Sequence, residues 1–384
     1  MKPKLKLALL LNMISPARLG LYSALADEFD LMVLHGGREA NRESWRDVEK
    51  GLPHARVVRA WGWQIHHSKK LRGEAFDEKF IHVNPGFAWH LLRFNPDFVI
   101  SNEMGIRSIT ALAYGSIFRK PVWIWWGGTV HSERNIGPLR KMVRKIITLW
   151  TDRWISYGQT STEYLLGMGV SRDRIVQSQN AIDEKRFQVT AEPAWQIHPR
   201  PVVLYTGQFI ERKGVGTLLQ AAARLQQDGS EFTLLLVGNG RDKQALEQRA
   251  TALGLKNIHF RPAQTPDSMP SVYRSADLLV LPTLEDVWGL VANEAILCDL
   301  PVLCSKYAGC APELFDPENI FSPEDLNEFF QKLRNGISGQ LLKSSPSRLK
   351  TTEQLSGELI YELKRFGPRA AVRQEKTDRA ESAI

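Results

Sequence analysis

Residues 201–305 alternate between short apolar runs and amphipathic stretches. The apolar runs are too short for helices, and the first of them (PVVLYTG) ends in Gly, which is typical of a strand buried on both faces of a parallel sheet. The predicted strands are Pro201–Gly207, Phe232–Val237, Ile258–Arg261, Leu278–Leu281 and Val302–Cys304. The predicted helices lie between them, at 215–225, 242–253, 269–275 and 291–297. Strands that alternate with helices over this length predict a doubly wound α/β fold.

The first half repeats this alternation less regularly. Its predicted strands are Leu5–Leu11, Phe29–Leu34, Phe98–Ile100, Val122–Trp126 and Trp154–Tyr157. A chain of 384 residues fits two domains. We therefore expect two Rossmann-like domains at 1–185 and 201–345, joined by a linker at 186–200. Residues 346–384 are expected to form a helix near 352–366 and a disordered tail from Gly367.

Composition agrees with a globular protein, since 43% of the residues are hydrophobic and 24% are charged. The apolar run Leu7–Leu11 is far too short to span a bilayer, and polar residues follow it directly. We therefore predict a buried first strand rather than a signal peptide, and the cytoplasm as the compartment. Cys298, Cys304 and Cys310 suit a reducing compartment and are expected to be packing residues.

Charge is distributed unevenly along the chain. Residues 1–180 carry 26 Lys and Arg against 16 Asp and Glu, whereas the remainder has a net charge of −2. The excess indicates an anionic partner such as a membrane surface, a lipid phosphate or nucleic acid, or it is only a solvated basic face.

The segment Pro138–Trp150 separates apolar from basic residues along a helix. Its apolar stripe comprises Leu139, Met142, Val143, Ile146, Ile147 and Trp150, and its basic stripe comprises Arg140, Lys141, Arg144 and Lys145. The pattern predicts either an ordinary packed helix, which we favour, or a helix that lies on anionic lipid at the cytoplasmic face of a membrane. Nine of the eleven Trp residues fall within the first 154 positions, including Trp45, and most are expected in the core.

The strongest chemical signal is the segment Asp286–Glu294 (DVWGLVANE), preceded by Glu285. An acid, seven residues and a second acid that opens a helix resemble the acidic signature of retaining GT-B glycosyltransferases, and of glycosyltransferase family 4 in particular. The resemblance implies that Glu294 accepts both hydroxyls of a ribose and that Asp286, or Glu285 beside it, supplies the first carboxylate at the catalytic centre. The family usually begins the motif with Glu.

The loop between the two acids consists of Trp288, Gly289, Leu290 and Val291. It can point the free amides of a helix N-terminus at a diphosphate, and Gly289 lets the backbone approach that ligand closely. The resembled family usually has Phe where Trp288 stands.

A second segment, Gly207–Gly214 (GQFIERKG), directly follows a predicted strand. A glycine turn with cations at the carboxyl end of a parallel strand is where open α/β sheets bind phosphates. In the resembled family an Arg follows the first Gly and pairs with a Lys to hold the diphosphate. Here Lys213 keeps its place, Gln208 replaces the Arg, and Arg212 is expected to compensate. Arg261 closes a segment that resembles the one whose backbone contacts the base.

The catalytic side departs further from the family pattern. Members commonly carry a His where this chain has Gly127. We expect His131 to reach into the cleft between the two predicted domains if the Gly127–Gly128 turn folds back, and otherwise to be a solvated loop residue. Glu103, just beyond a predicted strand end, is a second polar candidate.

Missing motifs narrow the function. The chain has no Asp-x-Asp to hold a divalent cation on a diphosphate, no P-loop and no dinucleotide-binding glycine motif. The resemblance therefore implies a metal-independent, retaining glycosyltransferase with a UDP- or GDP-sugar as donor substrate, no other cofactor, and a saccharide, lipid-linked or surface-glycan acceptor. Nucleic acid is not an expected partner. A nucleotide-sugar epimerase and a nucleotide-sugar-binding protein without catalysis remain the alternatives.

Overall fold

A computed structural model of the chain describes residues 3–36, 48–71 and 74–367. Within these ranges no helix is both long and apolar enough to cross a membrane. Trp45 and the predicted disordered tail beyond Gly367 lie outside the described residues.

The first half is built on a seven-stranded parallel sheet. The described part of this half contains nine strands, of which seven form the sheet and two form a separate hairpin. They are β1 (Lys6–Leu11), β2 (Asp30–His35), β3 (Arg56–Arg59), β4 (Trp63–Leu71), β5 (Glu74–Val83), β6 (Phe98–Asn102), β7 (Val122–Trp126), β8 (Arg153–Ser156) and β9 (Ile175–Gln177). The sheet order is β3-β2-β1-β6-β7-β8-β9, while β4 and β5 form a separate antiparallel hairpin. Since β7 is apolar throughout, β1 is apolar after Lys6, and both lie inside the sheet, helices cover both faces.

Helices cover this sheet unequally. The helices are α1 (Leu19–Glu28), α2 (Gly86–Phe94), α3 (Ile106–Phe118), α4 (Pro138–Trp150) and α5 (Gln159–Gly167). Helix α1 contributes Leu21 and Leu25 to the core on one face. Helices α2, α3 and α4 contribute Leu91, Leu112 and Ile147 to the core on the other face, so the three lie in one layer.

The second half is a six-stranded parallel sheet with the order β12-β11-β10-β13-β14-β15. Its strands are β10 (Val202–Thr206), β11 (Thr233–Val237), β12 (Ile258–Arg261), β13 (Leu278–Leu281), β14 (Val302–Ser305) and β15 (Ile320–Phe321). Its helices are α6 (Val215–Gln227), α7 (Lys243–Ala252), α8 (Met269–Arg274), α9 (Leu290–Leu297), α10 (Ala311–Leu314) and α11 (Leu326–Ile337). The molecule therefore consists of two parallel-sheet α/β domains, as the sequence predicts.

The last helix, α12 (Thr352–Arg365), returns to the first domain. It begins with a capping box formed by Thr351 and Gln354, and Lys364 Nζ lies 2.6 Å from Glu28 Oε1 on α1. Beside its start, Gln179 Nε2 donates to the Arg348 carbonyl at 3.0 Å. The chain thus crosses between the domains twice, and the two crossings touch.

The predicted strands are all present, and the structure also contains elements that the sequence does not predict. Short or edge strands such as β3, β9 and β15, the hairpin, and helix α11 were not predicted. Of the cysteines, Cys304 and Cys310 are buried in the core and Cys298 packs against it.

Helix α4 contradicts the ordinary packing that we favoured for Pro138–Trp150. Leu139, Met142, Ile146 and Trp150 of the apolar stripe are exposed, whereas Arg144 of the basic stripe is buried. Arg144 pairs with Glu133, and its guanidinium stacks over the Trp126 ring at 4.6 Å. The Arg144 side chain therefore holds α4 against the rest of the domain, because it contacts both the largely buried carboxylate of Glu133 and the ring of Trp126.

Candidate functional site

In an open α/β sheet, ligands bind outside the carboxyl ends of the strands, at the point where the strand order reverses. That point lies between β10 and β13 in the second sheet and between β1 and β6 in the first. The predicted donor segments directly follow β10 and β13. The fold therefore brings Gly207–Gly214 and the acidic loop to one edge.

The turn after β10 is held against the loop after β13 by a shared carbonyl. The Arg212 carbonyl accepts hydrogen bonds from the amides of Leu284 at 2.8 Å and Glu285 at 3.2 Å. Gly214 has φ +70°, and a Cβ there would lie 1.9 Å from the Pro282 carbonyl oxygen. Only glycine fits at this position, so the close packing of the two loops requires it.

Lys213 and Asp286 form an ion pair at this edge. Lys213 Nζ donates to Asp286 Oδ2 at 2.5 Å, and both side chains are largely shielded from solvent. Burial opposes ionisation of Asp286, but the charges of Lys213 and Arg212 outweigh it and lower the pKa of the carboxyl. Arg212 also donates to the Glu285 carbonyl at 3.3 Å. Two cations therefore lie at the strand ends, where an anionic ligand would meet them.

Helix α9 starts directly behind this pair. Gly289 is its N-cap with φ +99°, and Leu290 and Val291 form the first turn, whose amides face the loop. The Trp288 side chain is buried, and its Nε1 donates to Asn293 Oδ1 at 2.9 Å. Trp288 thus fixes the start of the helix with its side chain, so that any contact of this residue with a phosphate would come from its backbone.

Glu294 lies one turn further along α9. Its Oε2 accepts a hydrogen bond from the Tyr273 hydroxyl at 2.6 Å. Burial raises the pKa of Glu294 to about 7, although the Tyr273 hydrogen bond and the charge of Arg186 oppose the shift. A carboxylate with one oxygen already engaged by a buried phenol keeps its remaining acceptor capacity for a ligand hydroxyl.

Gly207 and Arg261 lie at opposite sides of the predicted donor site, at the ends of β10 and β12. The Gly207 amide donates to the Val237 carbonyl at 3.0 Å, and the Gly238 amide donates to the Arg261 carbonyl at 3.0 Å. The exposed Arg261 guanidinium lies 5.8 Å from the Trp195 ring of the linker. Arg261 is therefore two strands away from Gly207, at the far side of the same edge.

His131 and Glu285 connect the two domains. His131 Nε2 donates to the Leu284 carbonyl at 2.7 Å, and its ring stacks on Tyr307 with centroids 3.6 Å apart. Burial lowers the pKa of His131, which the hydrogen bond to Leu284 partly offsets. Arg134 Nη1 lies 3.2 Å from Glu285 Oε2. Glu285 thus faces a cation of the first domain, whereas Asp286 faces Lys213 of the second.

Gly127, where the resembled family has His, is covered by an aromatic ring. A Cβ at Gly127 would lie 2.5 Å from the Tyr157 ring, and Ser161 Oγ donates to the Gly127 carbonyl at 2.9 Å. A side chain at this position would require Tyr157 to move.

A group of polar side chains lies at the switch point of the first sheet, where the strand order reverses between β1 and β6. Of this group, the sequence analysis identifies only Glu103. Asn12 follows β1, and its Nδ2 donates to Glu103 Oε2 at 3.1 Å. The buried Arg107 donates to Asn12 Oδ1 and to the Asn102 carbonyl, and the Tyr157 hydroxyl donates to Asn102 Oδ1 at 3.3 Å. Glu103 has φ +66°, which is uncommon for a residue with a side chain. The signal that would have found this group is its place directly after two predicted strands.

Known sequences resemble part of this chain, and a family model matches its second domain. Residues 190–353 match the family model described as glycosyl transferases group 1. A D-inositol 3-phosphate glycosyltransferase of Salinispora tropica is 34% identical over 139 residues, which are 33% of this chain and 29% of that protein. A 2-deoxystreptamine glucosyltransferase of Streptomyces kanamyceticus is 27% identical over 184 residues, 44% of this chain and 46% of that protein. The aligned regions thus span less than half of these curated relatives.

The similarity to solved structures extends over nearly the whole chain. Anabaena HepE in complex with UDP has 17% identity and a TM-score of 0.66, over 98% of this chain and 100% of that chain. The lipopolysaccharide outer core galactosyltransferase WaaB in its apo form has 15% identity and a TM-score of 0.64, over 94% and 95%. The chain therefore has the GT-B fold, and its residues 190–353 are similar to the glycosyl transferases group 1 domain.

Proposed function

We propose that this protein transfers a sugar from a nucleotide-sugar donor to a saccharide, lipid-linked or surface-glycan acceptor, with retention of anomeric configuration and without a metal ion. The observation that carries the proposal is the Lys213–Asp286 pair at the β10/β13 switch point, with Glu294 on the helix that follows the same loop, inside the region that matches the family model. HepE of Anabaena has been solved with UDP and with UDP-glucose, which makes a UDP-sugar the first donor to test and a GDP-sugar the second.

On this proposal the donor lies along the carboxyl edge of the second sheet. Glu294 accepts the ribose hydroxyls, and the Gly207 turn faces the diphosphate. The bond to the sugar breaks with negative charge moving to the diphosphate oxygen. Lys213, Arg212 and the first-turn amides of α9 would stabilise that charge, because they are fixed in place before the reaction.

The acceptor would enter from the first domain. Its switch point carries Asn12, Glu103 and Arg107, and a carboxylate held by an amide and a guanidinium is suited to accept a hydrogen bond from a sugar hydroxyl. In a direct transfer with retention, the acceptor hydroxyl approaches from the face that the diphosphate leaves. Its oxygen bonds to the anomeric carbon as the bond to the diphosphate oxygen breaks, and its proton passes to that departing oxygen. Among the described residues no group of three or more His, Cys, Asp or Glu is placed to hold a metal.

A second candidate is a nucleotide-sugar-binding protein without catalysis. The observation that favours it is Tyr157 over Gly127, because this closes the place of the family's His. His131 is engaged with the Leu284 carbonyl rather than positioned in that place.

The test measures nucleotide release from a panel of UDP- and GDP-sugars, with and without sugar, lipid-linked and glycan acceptors. Transfer predicts acceptor-dependent nucleotide release, which Lys213→Ala abolishes and the exposed control Lys256→Ala leaves unchanged. Release of free nucleotide and an altered sugar without acceptor would indicate an epimerase. Tight nucleotide-sugar binding with no release under any condition would leave only the binding protein.

A further inference from the structure

Helices α2, α3 and α4 form one continuous layer on the first domain, with α3 packed between the other two. We call the outer surface of this layer the three-helix face. The three helices contain no Asp or Glu. Their exposed cations are Arg93, Arg140, Lys141 and Lys145, and Arg119 directly follows α3. The layer is therefore positively charged without internal compensation.

The same face exposes large apolar side chains. Nineteen such side chains are exposed among the described residues, and eleven of them belong to these three helices. They are Trp89, Leu92, Ile106, Ile109, Ile117, Phe118, Leu139, Met142, Ile146, Leu149 and Trp150. Ile117 is 73% exposed and Leu149 is 71% exposed, so these are not residues at the margin of a core. Scattered apolar side chains are normal on a surface, but this concentration marks an interaction surface.

The orientation of α4 shows that the exposure is built into the packing. Arg144 is turned inwards against Glu133 and the ring of Trp126, and Ile147 and Thr148 complete the buried side. Rotating the helix to bury Leu139 and Leu149 would expose Ile147 and leave Glu133 without Arg144. The buried ion pair therefore fixes an apolar and basic surface towards the outside.

Charge decides which occupant this face suits. A second copy of the chain packed through the same face would bring cations against cations with no acid on these helices to pair with them. On an anionic bilayer, the Lys and Arg side chains can instead contact lipid phosphates, and the apolar side chains can insert where the headgroups meet the acyl chains. The exposed Trp61 and Trp63, next to the start of α2, are of the type enriched at membrane interfaces.

We propose that the three-helix face docks the protein on an anionic bilayer. The helices run antiparallel to their strands, so that Ile106 and Leu139, at the starts of α3 and α4, lie at the carboxyl edge of the sheet, which also carries Glu103. The bilayer surface would thus reach the mouth of the acceptor side. This part rests on the proposed function, and it implies an acceptor carried by a lipid.

The experiment is co-sedimentation of the full chain with vesicles of phosphatidylglycerol and phosphatidylcholine, and with vesicles of phosphatidylcholine alone. We expect binding to the anionic vesicles that falls at least tenfold between low and physiological salt, and weak binding to the neutral ones. The charge variant is Arg140→Gln/Lys141→Gln/Lys145→Gln, and the apolar variant is Leu139→Gln/Leu149→Gln. Arg144 is left intact because it is buried. Each variant should weaken vesicle binding at least tenfold.

Matched controls remove the same charge or the same apolar area elsewhere. Lys50→Gln/Lys185→Gln/Lys256→Gln lowers the net charge equally, and Leu342→Gln/Tyr361→Gln removes exposed apolar groups outside the face. Both controls should bind vesicles like the parent. Equal loss in the charge control, or parental binding by the apolar variant, would overturn the proposal. So would concentration-dependent dimerisation that the apolar variant abolishes while no vesicle binds. UDP-sugar affinity is measured without vesicles on every variant, so that loss of the proposed function is seen separately from loss of docking.

Discussion

Ionised Glu294 is expected to lower the stability of the protein without ligand, although the same carboxylate is proposed to bind the ribose of the donor. Its pKa is raised from 4.5 to about 7 because the carboxyl is buried beside Tyr273. Each unit of difference between the folded and unfolded pKa corresponds to about 1.4 kcal/mol. At pH 8 the folded protein therefore bears up to about 3 kcal/mol for keeping Glu294 ionised, a figure that solvent access reduces.

The variant Glu294→Gln separates stability from binding. Gln can still accept from the Tyr273 hydroxyl, so that no buried phenol loses its partner. We expect Glu294→Gln to raise the melting temperature at pH 8 by several degrees. The sign follows from the raised pKa: protonated Glu294 matches Gln at low pH, and the advantage of Gln grows as the pH rises from 4.5 through 7.

Donor affinity should move the other way. A hydrogen bond to a charged group is worth about 1.5–3 kcal/mol and a neutral one about 1 kcal/mol, so Gln should weaken UDP-sugar binding about tenfold at pH 8. Ala, which removes both acceptor oxygens, should weaken it about 30- to 150-fold. In the parent, affinity should rise between pH 6 and 8 because ribose binds the carboxylate, whereas Glu294→Gln should show a flat profile.

Calorimetric titration with a UDP-sugar is the assay, because its phosphodiesters do not titrate in this range, and scanning fluorimetry supplies the melting temperatures. The matched control is Glu328→Gln on α11, a partly exposed carboxyl in the same domain. The reasoning is refuted if Glu294→Gln binds the donor like the parent, or if it melts lower than the parent at pH 8.

Three further outcomes are expected. Lys213→Ala should weaken UDP-sugar binding by at least tenfold and, by leaving Asp286 buried without its ammonium, should lower the melting temperature at pH 7 more than at pH 4; equal losses at both pH values would contradict the pairing. Turnover should survive exhaustive EDTA treatment, and loss that magnesium or manganese restores would refute metal-free transfer. His131→Ala should raise the acceptor KM and leave the UDP-sugar dissociation constant within a factor of two, because His131 contacts the carbonyl of Leu284 rather than the donor residues; a large loss of donor affinity would show that this contact shapes the donor site.

The sequence predicts the fold well where burial is uniform. Runs such as Val122–Trp126 and Leu278–Leu281 are apolar enough to be strands inside a parallel sheet, and both have the predicted bounds. Edge strands such as β3 (RVVR) are short and half exposed, so that no apolar run distinguishes them from loops. The two-residue strand β15 exists only because β14 is already there to pair with it.

The faces of helices are harder to predict than the helices themselves. The stripes of α4 are visible in the sequence, but which stripe is buried depends on Glu133 and Trp126, whose positions only the fold supplies. The predicted donor residues lie in two continuous segments that follow β10 and β13, so their meeting at one edge of the sheet could be predicted from the sequence. The group of Asn12, Glu103 and Arg107 joins positions about ninety residues apart, and nothing local in the sequence connects them.

The return of α12 to the first domain has a mechanical consequence. A single linker would let the two domains swivel about any direction, whereas two crossings fix two points and so define one line of rotation. Since Gln179 bonds to the Arg348 carbonyl and to the Lys350 amide, those points lie side by side. Opening would then be a rotation about the place where the two crossings meet, with the widest displacement at the parts of the domains farthest from it. Donor and acceptor sides would separate along one arc and return to the same register each time the cleft closes.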